Sequence, residues 1–313
     1  MRRPLRVFSS ILPNLFIPGA AKSGTSTLHD YLNLHPDICM CVNKEPSYFW
    51  RRDKRLDQFG KLFDDGSYRY YGESSTSYML LPEVVERIRR SVPDPRFVFV
   101  LRNPADRAWS HYRWIRDQYD AEPRGFREAF RDDIGRTPAA TELARSLNRH
   151  YYQTGRYAKW LQLYQDAFGR DRVHVLLFEH LVAAPTEQIN AIFRFLGLAE
   201  TSYVKAIRSN PTLVWKRPRL TQAYARLSRA AGLAMQDLLS GRLYRSLVRL
   251  SRRLSPLISG SRLTPPLSLS SDDRAWVASY YCDDVARLRE TTGLALDPWA
   301  ADFPVLAALG ARR

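Results

Sequence analysis

Short apolar runs alternate with longer stretches of helical period along the first two thirds of this chain. Asn14-Leu15-Phe16-Ile17-Pro18 reads as a short buried strand, and Tyr68 to Glu73 as a second. Arg96 to Leu101 is a continuous apolar run of strand length, as a central parallel strand requires. Arg172 to Phe178 is a fourth. Between them, Thr25 to Leu34 places Leu28, Tyr31, Leu32 and His35 on one helical face. Pro82 to Ser91 opens with proline in its first turn, and Asn103 to Tyr119 with an Asn N-cap and Pro104 behind it. Gly155 to Phe168 and Pro185 to Leu196 are further helices. Alternation of this kind predicts an α/β fold: a P-loop-like, mostly parallel sheet flanked by helices.

The character changes from Lys205 to Leu263, where arginines and leucines interleave at helical spacing until Thr264-Pro265-Pro266. Three readings stand for Thr221 to Leu263: a helical lid over an acceptor site, an amphipathic surface touching anionic lipid, or a solvated helix with a core-facing leucine stripe. The lid is the preferred one. Ser270 to Thr292 predicts a final helix, with Trp299 packing the tail. The expected organisation is one domain over 1–313: an α/β core at 12–200, an arginine-rich cap at 205–263, and a C-terminal helix and tail at 264–313.

Composition narrows this little. The 313 residues are 45% hydrophobic and 26% charged, a globular balance. No run of about 18 apolar residues predicts a membrane span. Pro13 and Asn14 break the N-terminal apolar stretch, so no cleaved signal is expected. Cys39, Cys41 and Cys282 read as reduced core thiols of a cytoplasmic protein, without the spacing of a metal site. The formal charge of +16 favours anionic partners without choosing among nucleotides, nucleic acid, glycans and membrane.

Gly19-Ala20-Ala21-Lys22-Ser23-Gly24-Thr25-Ser26-Thr27 resembles a phosphate-binding loop. It lies between a strand and a helix, the frame that aims backbone N–H groups at an anion. Lys22 and the hydroxyls of Ser23, Thr25, Ser26 and Thr27 would surround that anion. The lysine precedes the second glycine, so this is not the GxxxxGK[ST] loop of nucleoside triphosphatases. Many triphosphatases hold Mg²⁺ with an aspartate at a neighbouring strand end; here the strand ends in Arg102, which suits a phosphate bound without metal. Ser110 follows on the next helix.

Gly19 to Thr27 together with Phe99 to Tyr112, FVLRNPADRAWSHY, resembles the sulfotransferases that use 3'-phosphoadenosine 5'-phosphosulfate (PAPS), especially bacterial members of the heparan-sulfate type. Lys44-Glu45-Pro46-Ser47-Tyr48-Phe49 is similar to their KEPxYF segment. Trp160, Glu179-His180-Leu181, Phe195 to Leu198, and Ser271 to Trp299 also look family-like. The resemblance implies that Lys22 to Thr27 hold the 5'-phosphosulfate and that Arg102 and Ser110 hold the 3'-phosphate. It implies Lys22 as stabiliser of the leaving group and Glu45 as general base toward a hydroxyl or amine acceptor. Lys44 and Glu73 are implied on the acceptor side, with Glu73 either catalytic or supporting Lys44. Trp215 would stack on adenine, and Arg217, with Lys216 and Arg219 beside it, would make a late cationic contact, although the glycine of the family's KGR loop is missing. No metal and no nucleic-acid partner are implied; peripheral contact with an anionic membrane stays open. The implied acceptor is a carbohydrate, glycolipid or small metabolite. The alternatives are a P-loop kinase and a non-enzymatic basic module for nucleic acid; neither explains the paired motifs.

Overall fold

The structure, a computed structural model, describes residues 11–51, 55–118, 121–139, 149–204, 213–214, 238–259, 262–263 and 268–310. Strands β1 (Leu15–Phe16), β2 (Ile38–Met40), β3 (Tyr70–Glu73), β4 (Arg96–Leu101) and β5 (Val173–Leu177) form a five-stranded sheet in the order β2-β3-β1-β4-β5. Every pairing in it is parallel. A separate antiparallel pair joins β6 (Leu213–Val214) to β7 (Arg262–Leu263). Around the sheet run helices α1 (Thr25–Leu32), α2 (Pro82–Ser91), α3 (Pro104–Arg113), α4 (Phe126–Ile134), α5 (Tyr157–Phe168), α6 (Phe178–Ala183) and α7 (Pro185–Leu196). After them come α8 (Gly241–Ser259), α9 (Ser271–Ser279), α10 (Cys282–Thr292) and α11 (Val305–Gly310).

Side chains alternate across a strand, and β4 shows the consequence. Phe97, Phe99 and Leu101 join Phe16 in a core layer with α2, α5 and the C-terminal helices, including Trp299. Val98 and Val100 join Leu15 and Ile17 in the opposite layer, with Leu28 and Leu32 of α1 and Ile189 and Ile192 of α7. The sheet is thus apolar on both faces, which explains why Phe97 to Leu101 reads as an unbroken apolar run.

Several boundaries differ from the sequence expectation. Strand β2 lies in the apolar run Ile38 to Val42, where no strand was expected. The helix expected over Asn103 to Tyr119 is α-helical only to Arg113 and then widens into a π-turn over Trp114–Gln118. The single helix expected over Ser270 to Thr292 is two, α9 and α10. Their break falls at Tyr280 and Tyr281, where the buried Tyr281 hydroxyl donates toward the Tyr151 and Tyr152 carbonyls (3.2 and 3.0 Å). Those bonds hold the ring in place of a continued helical register.

The strand order carries the functional consequence. From the central β1 the chain runs to β2 and β3 on one side and to β4 and β5 on the other. The carboxyl ends of β1, β3 and β4 therefore flank a topological switch point, where open α/β sheets bind ligands.

Candidate active site

The loop after β1 is fixed to both neighbouring strands. The Ile17 amide donates to the Glu73 carbonyl, the Ala20 amide to Val100 and the Val100 amide to Gly19 (2.9, 2.8 and 3.0 Å). A Cβ on Gly19 would stand 2.5 Å from the Met79 sulfur. Gly24 has φ of 85°, a left-handed conformation that glycine alone adopts without cost, and it caps α1. A Cβ there would also meet the Phe178 ring at 2.7 Å. Both motif glycines thus permit close approach of the loop to its walls. Ser23 and Thr25 are buried, whereas Ser26 and Thr27 are partly exposed in the first turn of α1. The first N–H groups of a helix have no intrahelical acceptor, so this turn presents donors to the loop's cavity side.

Lys22 is held in the left-handed region as well, at φ 70°. A non-glycine residue there costs about 1–2 kcal/mol, which surrounding contacts must offset. Its ammonium lies 5.0 Å from the Trp114 ring centroid, on the π-turn. The Arg102 guanidinium donates to the Lys22 carbonyl (3.4 Å) and stacks at 5.2 Å on Phe178. Burial, then the charges of Arg102 and Lys44, push the Lys22 ammonium down to about 8, against a smaller opposing pull from Glu45. Lys22, Arg102, Lys44 and Glu45 therefore share one electrostatic neighbourhood. Among the described residues no carboxylate makes a salt bridge with Lys22 or Arg102.

Ser110 is partly exposed on α3. Trp114 follows it by one helical turn and accepts Lys22 over its ring, so Ser110 shares the helix face turned toward the loop. That helix is anchored at its start. The Asn103 side-chain oxygen accepts from the Ala105 amide (3.0 Å), its backbone amide donates to the Glu179 carboxylate (2.9 Å), and its side-chain amide donates to Asp302 (2.7 Å). Arg274 then joins Asp302 (2.6 Å) to Asp106. The C-terminal region thereby fixes the Arg102–Ser110 segment, a role the sequence alone did not reveal.

Glu45 and Ser47 are also left-handed, both at φ 62°. Glu45 is exposed; its carboxylate pairs with Lys44 (2.9 Å) and accepts from the Thr76 hydroxyl (3.1 Å). The Ser47 amide donates to the Ser75 hydroxyl (2.9 Å), and the Ser75 amide donates to Glu73 (2.9 Å). Glu73 is fully buried, its Oε1 has no hydrogen-bond partner among the described residues, and burial pushes its carboxyl up to about 8. It reaches the Glu45 segment through Ser75, and so sits behind Glu45 rather than beside an open surface. Ser74 meets His29 Nδ1 (2.8 Å), which gives that histidine a structural partner. His111 packs buried against Arg107 (3.2 Å).

The structure thus brings Lys22, Arg102, Lys44, Glu45 and the α1 N-terminus together, with Glu73 beneath and Ser110 on the facing helix. Trp215 and Arg217, with Lys216 and Arg219, lie outside the described residues. Trp114 and Phe178 pack against Lys22 and Arg102 without having been foreseen, because these contacts join distant segments. No group of three or more His, Cys, Asp or Glu side chains among the described residues can hold a metal ion.

The profile of the sulfotransferase domain family matches residues 12–214, well over half of the chain, and this chain belongs to that family. It is accordingly an enzyme of the sulfuryl-transfer class. A solved sulfotransferase from Alicyclobacillus acidocaldarius shares 26% identity and superposes with a TM-score of 0.64, covering 92% of this chain and 99% of that one. The mouse heparan sulfate glucosamine 3-O-sulfotransferase 6 is 29% identical over 204 residues, 64% of this chain and 56% of that protein. The mouse bifunctional heparan sulfate N-deacetylase/N-sulfotransferase 1 is 27% identical over 210 residues, 64% of this chain and 24% of that protein. This chain therefore spans about a quarter to a little over half of the curated relatives it matches.

Proposed function

We propose that the enzyme transfers the sulfuryl group of PAPS to a hydroxyl or amine acceptor, with 12–200 as the nucleotide-binding core. The observation that carries this reading is the convergence of Lys22 and Arg102, two cations without a described carboxylate partner, at the switch point of a parallel sheet. A donor set of two cations, a helix N-terminus and hydroxyls fits a nucleotide with phosphate at both ends. Arg102 and Ser110 hold the 3'-phosphate, and the loop amides and Thr25 to Thr27 hold the 5'-phosphosulfate. Arg102 stands where triphosphatases place a metal-binding aspartate, so the reaction runs on protein cations alone.

The acceptor oxygen or nitrogen attacks sulfur in line. A bond from acceptor to sulfur forms, the bond from sulfur to the bridging phosphate oxygen breaks, and the acceptor proton passes to Glu45. The electron pair of the broken bond stays on that oxygen, leaving 3'-phosphoadenosine 5'-phosphate (PAP), and Lys22 stabilises the charge. A preorganised cation at developing charge contributes about 3–4 kcal/mol, by analogy with a single oxyanion donor. Proton removal by a positioned base contributes about 10²–10⁴-fold. Lys44 donates to the Glu45 carboxylate, and Thr76, donating to the same oxygen, fixes its orientation. The heparan sulfate relatives favour a carbohydrate acceptor, with a glycolipid or small metabolite as the other candidates.

Transfer from radiolabelled PAPS to a fractionated extract of the host, followed in variants, tests the assignment. Lys22→Ala and Glu45→Gln should each lose at least about a hundredfold in turnover while PAP still binds. Wild-type turnover in Glu45→Gln would remove it as the base.

A further inference from the structure

The segment 205–263 holds thirteen Lys and Arg against one Asp, so it carries +12 of the chain's +16. Within it, α8 reads GRLYRSLVRLSRRLSPLIS, with no acidic residue. One face of α8 is bolted to the body. The Tyr244 hydroxyl accepts from Asn43 (2.8 Å), and the buried Arg245 donates to the Phe63 carbonyl (2.6 Å) and pairs with Asp64 and Asp65 (3.3 and 3.0 Å). Among the described side chains the face turned inward is Tyr244, Arg245 and Val248, with no leucine of α8 in it. Leu243, Leu247 and Leu250, one helical turn apart, face outward at 58%, 39% and 51% exposed, and Leu238 just before the helix is 82% exposed.

We propose that α8 docks this enzyme on anionic bilayers, its leucine face entering the interface and its arginines meeting the lipid headgroups. An apolar stripe bordered by cations is what a helix lying in the membrane plane requires. Arg242 and Arg249 flank the stripe, and their pairings with Asp65 and Asp64 are between exposed groups. Such pairs are worth little and are screened by salt, so both guanidiniums can exchange a carboxylate for a lipid phosphate. Arg245, buried, stays as the anchor. A soluble polyanion would use the arginines but leaves the outward leucines without a role, and the leucines decide in favour of lipid. No helix among the described residues is long and apolar enough to cross a membrane, so the contact is peripheral. Asn43 precedes Lys44 and Glu45, so the bond to Tyr244 ties the docked helix directly to the acceptor side of the site.

Sedimentation of the full chain with phosphatidylcholine vesicles, with and without phosphatidylserine, tests this. The protein should pellet with the phosphatidylserine vesicles and stay in solution with phosphatidylcholine alone. The triple variant Leu243→Ser, Leu247→Ser, Leu250→Ser should lose roughly tenfold to a hundredfold in partitioning, from the apolar area it withdraws. The triple Leu→Phe variant should bind as well as wild type, with circular dichroism checking that both variants fold. Undiminished pelleting of the serine variant overturns the proposal. So does heparin binding that is equal in wild type and serine variant with no pelleting on either vesicle, which would assign the arginines to a soluble polyanion. PAP titration of the same samples reports on the donor reading separately, and loss of PAP binding leaves the membrane result standing.

Discussion

Gly24→Ala concentrates two costs at one atom. The residue sits at φ 85°, where an alanine is strained by about 1–2 kcal/mol. Its new Cβ would also stand 2.7 Å from Phe178 Cδ2 and 2.9 Å from Cε2. Carbon atoms pack at about 3.5–4.0 Å, so ring or loop must yield by nearly an ångström. Overpacking of that kind costs about 1–3 kcal/mol. The sum is about 2–5 kcal/mol of lost stability, read as a lowered urea midpoint with an unchanged slope. Phe178 also carries Arg102 on its face at 5.2 Å, so the displacement reaches the proposed nucleotide site. PAP affinity should fall at least about tenfold by calorimetry, about 1.4 kcal/mol. Gly135→Ala is the control. Its φ is −83° and its Cβ would meet nothing within 4 Å, so it should be neutral or stabilising by up to about 1 kcal/mol. A wild-type midpoint and wild-type PAP affinity in Gly24→Ala would refute the account of the loop.

Arg102→Ala should weaken PAP by about 1.5–3 kcal/mol, the worth of a hydrogen bond to a charged group, and lower turnover only at subsaturating donor. In the free enzyme Lys22 titrates at about 8 rather than 10.5, and a bound phosphate restores its proton. PAP affinity should therefore be full below about pH 8 and fall as pH rises above it, by no more than about tenfold per pH unit. A flat profile up to pH 10, or the same decline in Lys22→Ala, contradicts that role. The effect on folding runs the other way: the unfolded chain holds the Lys22 proton more tightly, so this group adds stability as pH rises from about 8 to 10.5.

The sheet was legible wherever a strand is buried on both faces. Phe97 to Leu101 announces itself because both layers are apolar. Ile38 to Val42 is an apolar run of the same length that was passed over, with two cysteines in place of β-branched residues, and pairing with Tyr70 to Gly72 makes its first three residues a strand. Helix α6 was missed because it starts directly at the end of β5, at Phe178, with no side-chain cap. The Tyr281 break was invisible because its cause is a pair of carbonyls far away in the chain. In the site, Lys22 and Arg102 could be read from their places after strands. The holding of Glu45 by Thr76, and of its segment by Glu73 through Ser75, could not, since these contacts cross from one loop to another. Leu243, Leu247 and Leu250 of α8 keep helical spacing and face outward, because Asp64 and Asp65 draw the Arg245 side inward.

The central claim is that the loop at the switch point binds a nucleotide with a 3'-phosphate through protein cations. Titrating the full chain with PAP and with ATP, each in EDTA and again in Mg²⁺, measures this directly. The account predicts tight PAP binding that is indifferent to Mg²⁺, and weak ATP binding. Tight, Mg²⁺-dependent ATP binding with weak PAP binding would contradict it and point to a kinase-like site.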